Sequence, residues 1–571
     1  MTRSKLFGSL PEISYYIIQL LQYDLKSLYS CALVNRLLCQ IAIPMLWENP
    51  FSIRRREENP CSFLDTYFLF LNNDDRLKFK KYGITINPSV KKPLFNYPRF
   101  IKTLDTFRAE MHLVNWINNL DIPIPSPTKA HPYPYHDPLC MKQPSTIFHS
   151  KIHSENTSLK IKVNLLDAGK AVKFTCTSLF KIFINNNASI RELIMKSSSF
   201  CGFFLSEICE MILRNSKFIS NLETLIFCFF KHPRFNFQYF LASLSSLTCS
   251  IKHFKISFFI ERYEGSLTDI ITTQKQISSL AYYCIPINSC LLDSFKYCVN
   301  TLTTMKFVNC NFENVPSFDV LQYFTKLQSL CFDNCGGLDN QAFQPLLDNP
   351  ASLKVKSLQL GGKISEYSFL LQKIGPHVED LSVELGFGDI ERCDKAFKNI
   401  ITYCRKIKFL HVAYTNNMNI PKMCKLITHI NKYLKYLSFE VLFGVDDDCS
   451  ETSSSLLTGL GTALPSSLEY LNLDLVIVPM DLKTFFDSCK HIVGLNKLLV
   501  RNRHYESIDE TFSIIKEFVN EAKIKEFAYE IENYVKVEDP DYLNLEELVL
   551  DVQPKRYSDL IMRIPGFDCK N

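Results

Sequence analysis

The sequence predicts an α/β solenoid, and three observations carry that expectation. An apolar pattern of the form L-x-x-L-x-L returns along the chain at a near-regular step. Between its copies, apolar residues fall at three- and four-residue intervals, the period of a helix with one buried face. Glycine is scarce, with 17 in 571 residues, and no Gly-rich turn follows an apolar run. A doubly wound α/β enzyme would instead carry longer apolar strands and such a turn at a phosphate. The chain is 46% hydrophobic and 22% charged, a globular balance with room for several domains or one repeat array.

The pattern begins at Ile190, Leu222, Ile251, Ile277, Leu302, Leu327, Val355, Val378, Ile407, Leu434, Leu468, Leu495, Ile524 and Leu545, a mean period of about 27 residues. That lies within the roughly 20–29 residues of leucine-rich repeats, which the pattern resembles. Leu302, Met305, Phe307, Cys310 and Phe312 fill the longer form L-x-x-L-x-L-x-x-C-x-L. Side chains alternate faces along a strand, so the fourth and sixth positions point inward and the third, fifth and seventh outward. Helical stretches follow: Leu482, Phe485 and Phe486 in "PMDLKTFFDSC", and Ile508, Phe512, Ile515 and Phe518 in "SIDETFSIIKEFV". Ser507 and Glu510 stand at capping-box spacing in the second. A single strand–helix unit has an apolar flank that only a neighbour can cover, so the units must stack. The expected product over residues 151–571 is a horseshoe of about fourteen repeats, with parallel strands on the concave face and helices outside.

The chain begins differently. Residues 10–47 read "LPEISYYIIQLLQYDLKSLYSCALVNRLLCQIAIPMLW". Ser9 and Glu12 have capping-box spacing with Pro11 in the first turn, and Ile13, Ile17, Leu20 and Leu21 follow as a helical stripe. Asp24 is placed to cap a second helix carrying Leu25, Leu28, Tyr29 and Ala32. A third runs from about Asn35 through Leu38, Ile41, Ala42 and Met45. Three short helices below about 40–50 residues bury too little surface to stand alone. The segment therefore needs a partner, either another protein or the adjoining chain.

This segment resembles an F-box, with Leu10, Pro11, Ile17, Leu21, Asp24, Leu28, Val34, Arg36 and Trp47 at the motif's places. "SCALVNR" and "IPMLWENPF" are similar to fungal F-box proteins with leucine-rich repeats. One departure is Leu38, where a Trp often stands two places after the Arg. The resemblance implies that residues 1–52 dock a Skp-type adaptor and, through it, a cullin–RING ubiquitin ligase of the SCF type, while the repeats hold a protein substrate. Leu10, Pro11, Ile17, Ile18, Leu21, Leu28, Val34 and Trp47 are the adaptor-binding residues it implies. Leu10, Ile17, Leu21, Leu28 and Val34 also fit a second reading, as core of a cap closing the end of the solenoid.

Residues 53–150 carry no recognised motif and form the expected connector. "SFLDTYFLFLNNDDRLKFKKYGI" reads as one helix ending near Gly83, with Arg76, Lys78, Lys80 and Lys81 late in it, where cations suit the helix dipole. Seven prolines between Ile122 and Pro144 predict an exposed, extended spacer. Arg54–Arg56 is too short a basic run to serve as an address. Net charge is +5, from 64 Lys+Arg against 59 Asp+Glu, too small a bias to argue for nucleic acid or a membrane surface. No apolar run approaches the roughly 18–20 residues of a membrane span, and the N-terminus does not read as a secretory signal. Cytoplasm or nucleus is the expected location. The 21 cysteines show no C-x-x-C spacing and scatter through apolar stretches, as reduced core thiols do. Cys331/Cys335 and His149/His153 stand four apart but lack further ligands at finger-like distances. No metal or other cofactor is expected.

Outward strand positions locate a candidate substrate face. The first five repeats place Glu192, Lys196, Lys255 and Lys306 there. The remaining nine place Asp333, Asp380, Glu384, Glu440, Asp474, Glu526, Glu530, Glu547 and Asp551 there, against Lys497 and Arg501. Phe409, Tyr436 and Tyr470 lie among them. An acidic concavity with aromatics suits a basic segment of a protein partner, so the candidate binding residues are Asp380, Glu384, Phe409, Tyr436, Glu440, Tyr470 and Asp474. "DDDCSETSSS" at 446–455 reads as a solvated loop. No P-loop, G-x-S-x-G, H-E-x-x-H or RING spacing occurs. The expectation is a non-catalytic substrate receptor for ubiquitylation; the alternative is a repeat scaffold with an F-box-like cap and no ubiquitylation.

Overall fold

The computed structural model describes residues 11–22, 24–52, 62–84, 86, 93–118, 165–197, 205–229, 236–257, 264–315, 317–349, 353–362, 364–385, 390–414, 420–442, 450–503, 508–531 and 561–562. The chain divides into two compact units, Met1–His136 with Thr157–Ile277, and Asp137–Asn156 with Ser278–Asn571. Each is an α/β solenoid whose parallel strands pair in chain order.

The first unit opens with α1 (Pro11–Gln19), α2 (Leu25–Val34) and α3 (Arg36–Leu46). Asp24 caps α2 by accepting the Ser27 N–H at 3.0 Å, and Asn35 caps α3 by accepting the Leu38 N–H at 2.9 Å, each satisfying a donor the helix leaves open. Ile18, Leu28 and Ala42 form the shared core of the trio, with Leu21 and Leu38 packed against it. Trp47 ends α3 and packs tilted against Tyr97 and edge-on against Tyr67, ring centres 4.3 and 5.2 Å away.

The single helix expected before Gly83 is two helices, α4 (Ser62–Phe68) and α5 (Asn73–Lys81). The break follows from Asn72, whose side chain accepts the Asp75 N–H at 2.7 Å and starts a new helix. Arg76 closes the junction by donating to the carbonyls of Leu69 and Leu71 at 2.9 and 3.2 Å. The Pro-rich stretch 122–144 and Arg54–Arg56 lie outside the described residues.

Strand β1 (Thr103–Asp105) and helix α6 (Thr106–Asn118) fall within the expected connector. Thr103, Leu104 and Asp105 pair in register with Glu192, Leu193 and Ile194 of β2 (Glu192–Ser197). The half-motif Ile101-x-x-Leu104, both residues fully buried, was its signal. Helix α7 (Leu165–Asn185) precedes β2, and α8 (Leu205–Arg214), β3 (Thr224–Phe229), α9 (Phe237–Leu247), β4 (His253–Ser257) and α10 (Glu264–Thr273) complete the unit.

The second unit alternates β5 (Ser279–Tyr283), α11 (Ser289–Ser294), β6 (Thr304–Val308), β7 (Ser329–Asp333), α12 (Asn340–Asp348), β8 (Ser357–Gly361), α13 (Ser368–Ile374), β9 (Asp380–Leu385), α14 (Ile390–Tyr403), β10 (Phe409–Tyr414), α15 (Ile420–Ile430), β11 (Tyr436–Val441), α16 (Ser450–Leu460), β12 (Tyr470–Leu475), α17 (Pro479–Ser488), β13 (Lys497–Asn502), α18 (Ile508–Glu521) and β14 (Glu526–Ile531). Thirteen of the expected starts, Ile190 to Ile524, precede strands and are at most 4% exposed. Leu545 lies outside the described residues, as does Ser507.

Register explains the pattern. Leu381, Leu410, Leu437, Leu471, Leu498 and Phe527 stand opposite one another across β9–β14, so the fourth position of each repeat packs on itself. In β5–β7 the sixth position is aromatic: Tyr282, Phe307 and Phe332 stack at 5.7 and 5.5 Å with planes 13° and 7° apart. The eighth position leaves the sheet through a left-handed turn at Cys284, Asn309, Asn334 and Gly362, with φ of 55°, 51°, 49° and 73°, a conformation Asn and Gly adopt most readily. Cys310 and Cys335 then turn inward, their thiols donating to the carbonyls of Tyr282 and Phe307 at 3.4 and 3.6 Å. Residues 450–455, expected as loop, form the start of α16 instead. Ser453, Leu456, Leu457 and Leu460 share its buried face, and burial of that face selects the helix.

Glu110 on α6 is a buried carboxyl with one oxygen lacking a hydrogen-bond partner among the described residues. Burial pushes its pKa up to about 8, above the roughly 4.3 of an unfolded chain. The native state therefore holds a proton that the unfolded state releases between those values, and stability falls as pH rises through that window. Glu110→Gln is expected to leave the melting temperature unchanged near pH 4 and raise it by several degrees near pH 8.5. Phe307→Ala is expected to cost about 3–5 kcal/mol by denaturant titration, because it removes the middle ring of the aromatic stack.

Candidate functional site

Two surfaces carry the sequence-identified residues, and the structure distributes them unevenly. On α1, Ile13, Tyr16, Ile17 and Leu20 follow helical spacing and are 50%, 68%, 43% and 84% exposed. On α2, Leu25, Tyr29 and Leu33 form a second outward stripe, with Val34 beside it. The adaptor-binding candidate Ile17 thus faces out with Ile13 and Leu20, while Ser14 and Ile18 turn in.

Ile18 and Leu28, 2% and 0% exposed, hold the three helices together and offer nothing to a partner. Trp47 is taken up by Tyr67 and Tyr97 in the same way. Ile18 and Leu28 belong to the core of the trio, and Trp47 to its junction with Tyr67 and Tyr97. Leu21 is half-buried against the core, and Ile17 and Val34 are exposed. Leu10 lies outside the described residues; Pro11 begins α1. Tyr16 and Leu33 are surface residues that the motif does not name, and Leu20 and Tyr29 stood in the helical stripes without being read as binding residues. Helical spacing from Ile13 and Tyr29 was the signal for Tyr16 and Leu33.

Register brings the substrate-face candidates together. Asp380, Phe409, Tyr436 and Tyr470 occupy the third-position row of β9–β12, and Glu384, Glu440 and Asp474 the seventh. They are not a free acidic surface. Phe409, Glu440, Tyr470 and Asp474 are 4%, 3%, 1% and 2% exposed; Asp380, Glu384 and Tyr436 are half-buried. Arg503, just past β13, folds back so that its guanidinium donates to Asp474 at 2.6 and 2.9 Å and to Glu440 at 3.3 Å. Arg501 donates to Asp474 at 3.3 Å and to Glu530 at 2.7 Å, and Lys497 pairs with Glu526 at 3.0 Å. Four of the nine outward acids, Glu440, Asp474, Glu526 and Glu530, thus have cationic partners within the chain. Arg503 escaped notice because it stands beyond the seventh position, and only the turn after β13 returns it.

Electrostatics follow burial. Desolvation and the Asp474 charge push Glu440 up, opposed by Arg503 and Arg501. Desolvation pushes His411, 3.7 Å from Glu440, down to about 4, so it is neutral at neutral pH. His411, Ser438 and Asn472 are joined through the Ser438 hydroxyl, 3.0 Å from each partner. Asp380 is pushed up by desolvation and held by the Ser357 hydroxyl at 2.9 Å. Beside this network Tyr436, Ile561 and Met562 pack on the cluster of Tyr470, Leu499 and Ala528. Among the described residues no three His, Cys, Asp or Glu side chains converge as metal ligands would, and no helix is long and apolar enough to cross a membrane.

No protein-family model matches the chain, and no curated protein matches it. A solved complex of Rad7 and Elc1 in yeast aligns at 13% identity with a TM-score of 0.33, covering 59% of this chain and 86% of that one. The leucine-rich repeat-containing protein LegL7 from Legionella pneumophila aligns at 14% identity with a TM-score of 0.32, covering 50% of this chain and 96% of that one. At these values the fold rests on the chain's own strand pairing.

Arg503→Ala leaves Glu440 and Asp474 without their main cation, and is expected to cost about 3–5 kcal/mol at pH 7. In a Glu440→Gln/Asp474→Asn background the same change is expected to cost much less. A double-mutant cycle by denaturant titration measures the difference.

Proposed function

We propose that this chain is a non-catalytic substrate receptor of an SCF-type ubiquitin ligase. In this reading α1–α3 dock a Skp-type adaptor, and the repeats hold a protein substrate for ubiquitylation. One observation carries it: a three-helix unit with a closed core of its own leaves two apolar stripes, eight large side chains, in water. A cap whose purpose is to finish the solenoid would turn such stripes inward, whereas exposed apolar patches on small units mark interfaces. The F-box resemblance of residues 10–47 gives the occupant. Leu38, half-buried against the helix core, stands where the family often has Trp, so that position supports the trio.

The mechanism is proximity. An adaptor fixed at one end and a substrate held by the solenoid raise the effective concentration of a target lysine near the charged conjugating enzyme. The substrate reads outward strand positions. Asp380, held by the Ser357 hydroxyl, and Glu384 are the half-exposed acids of the candidate set, and a basic segment would meet them there.

Leu20→Asp is expected to weaken binding of a purified Skp-type adaptor more than 10-fold by calorimetry while leaving the melting temperature unchanged. Leu28→Ala is expected to do the reverse in kind, costing about 2–5 kcal/mol of stability through a core cavity. Equal adaptor affinity for wild type and Leu20→Asp would overturn the docking face. Adaptor recovered without cullin on co-purification would favour the scaffold reading.

A further inference from the structure

The whole-chain charge of +5 conceals a split. The first compact unit, residues 1–136 with 157–277, carries 32 Lys+Arg against 19 Asp+Glu, a net of +13. The second carries 32 against 40, a net of −8. Charge asymmetry of this kind between two parts of a chain points the basic part toward a polyanion. Whether it has a site depends on where the cations gather and whether acids answer them.

They gather at the starts of β1 and β2. Lys102 and Arg191 directly precede the paired residues Thr103 and Glu192, and the Arg191 N–H donates to the Lys102 carbonyl at 2.8 Å. Their side chains therefore leave neighbouring rungs of the ladder, about 4.8 Å apart. Arg99, in the short 3-10 turn Tyr97–Phe100, is near enough to act on the same ammonium. Desolvation, Arg191 and Arg99 push the Lys102 pKa down, and Glu48 opposes them. Glu48 is itself half-buried and pushed up by desolvation, which weakens it as a counterion. The other acids close by are engaged: Glu223 pairs with Lys252 at 3.0 Å, and Glu192 accepts the Thr103 hydroxyl at 3.0 Å. Arg99 and Arg191 are exposed, and neither guanidinium has a hydrogen bond or ion pair among the described residues. Phe95 and Phe100 bracket Arg99, both half-buried, with ring centres 6.3 Å apart.

We propose that the first unit binds the phosphate backbone of a nucleic acid, with Arg99, Lys102 and Arg191 as its anchoring cations. The two guanidinium forks match phosphate oxygens in pairs. Lys102, which already donates to the Ser189 carbonyl at 3.2 Å, adds a point charge between them. The half-buried rings beside Arg99 are surfaces on which unpaired bases stack. Exposed lysines elsewhere in the unit, among them Lys78, Lys80 and Lys81 on α5 and Lys170 and Lys181 on α7, contribute attraction at longer range. Proteins that lie on lipid surfaces place their cations on the polar face of an amphipathic helix. Here the anchors stand on strand starts and a turn, which favours a phosphodiester chain. Such contacts hold the backbone without reading sequence. The inference rests neither on adaptor docking by α1–α3 nor on substrate binding by the outward strand positions.

The test titrates the full-length chain against fluorescein-labelled single-stranded and duplex DNA of about 20 nucleotides per strand, read by anisotropy across about 50–300 mM salt. Binding is expected to weaken linearly on a log–log plot against salt. Arg99→Gln/Arg191→Gln removes two phosphate contacts, so its slope is expected to be shallower by about 1.4–1.8. Its affinity near 100 mM salt is expected to fall roughly 10-fold or more, with an unchanged melting temperature because neither guanidinium holds the fold. Arg99→Lys/Arg191→Lys is expected to keep most of the slope, and Lys296→Gln/Lys490→Gln in the second unit to keep all of it. The DNA form that binds more tightly identifies the source of the backbone. Three results would each overturn the site: no binding of either DNA at the lowest salt, the same affinity and slope in wild type and the Gln variant, or arginine-dependent binding to phosphatidylserine vesicles without binding to DNA.

Discussion

In-register stacking is the constraint on which the rest depends. A strand–helix unit of about 27 residues cannot close a core. Here each unit closes against the next because its fourth and sixth side chains meet their own counterparts across the parallel ladder. A slip of one residue would turn the whole set to the other face. The same register decides what happens on the outward face, since it sets the third-position aromatics Phe409, Tyr436 and Tyr470 side by side, and likewise the seventh-position acids Glu440 and Asp474.

Those rows illustrate how burial alters the meaning of charge. Counted along the sequence, the last nine repeats carry an acidic surplus outward. In the fold, Glu440 and Asp474 are buried, and burial of an unpaired carboxylate is costly. Arg501 and Arg503 supply the counterions, and Glu440 is pushed up where they do not fully compensate. The network is a piece of internal architecture set into the outward face of the sheet. Beside it the outward face becomes apolar, and that part is covered by the chain's own C-terminal residues.

The first 50 residues follow different physics. Their three helices complete a core from Ile18, Leu28 and Ala42, capped by Asp24 and Asn35, and Trp47 fixes them to Tyr67 and Tyr97. What remains is a surplus of apolar surface on α1 and α2. A core and an exposed apolar face made from one short amphipathic sequence draw on residues one position apart: Ile17 faces out and Ile18 faces in.

The sequence by itself determined the solenoid, the repeat starts from Ile190 to Ile524, the inward rows, and the cap at Asp24. These depend on periodicity and local hydrogen bonding, which act over a few residues. It also held the signal for β1 in Ile101-x-x-Leu104, too short to stand out from background. Only the tertiary structure decided which stripe of α1 turns inward, that α4 and α5 are separate, that Arg503 returns to Glu440 and Asp474, and that Ile561 and Met562 cover Tyr470. Each of these joins residues through packing or charge across distances in the chain that no local period records. Burial and pairing belong to the folded neighbourhood, and a strand position marked outward becomes a surface only if nothing else in the chain lies upon it.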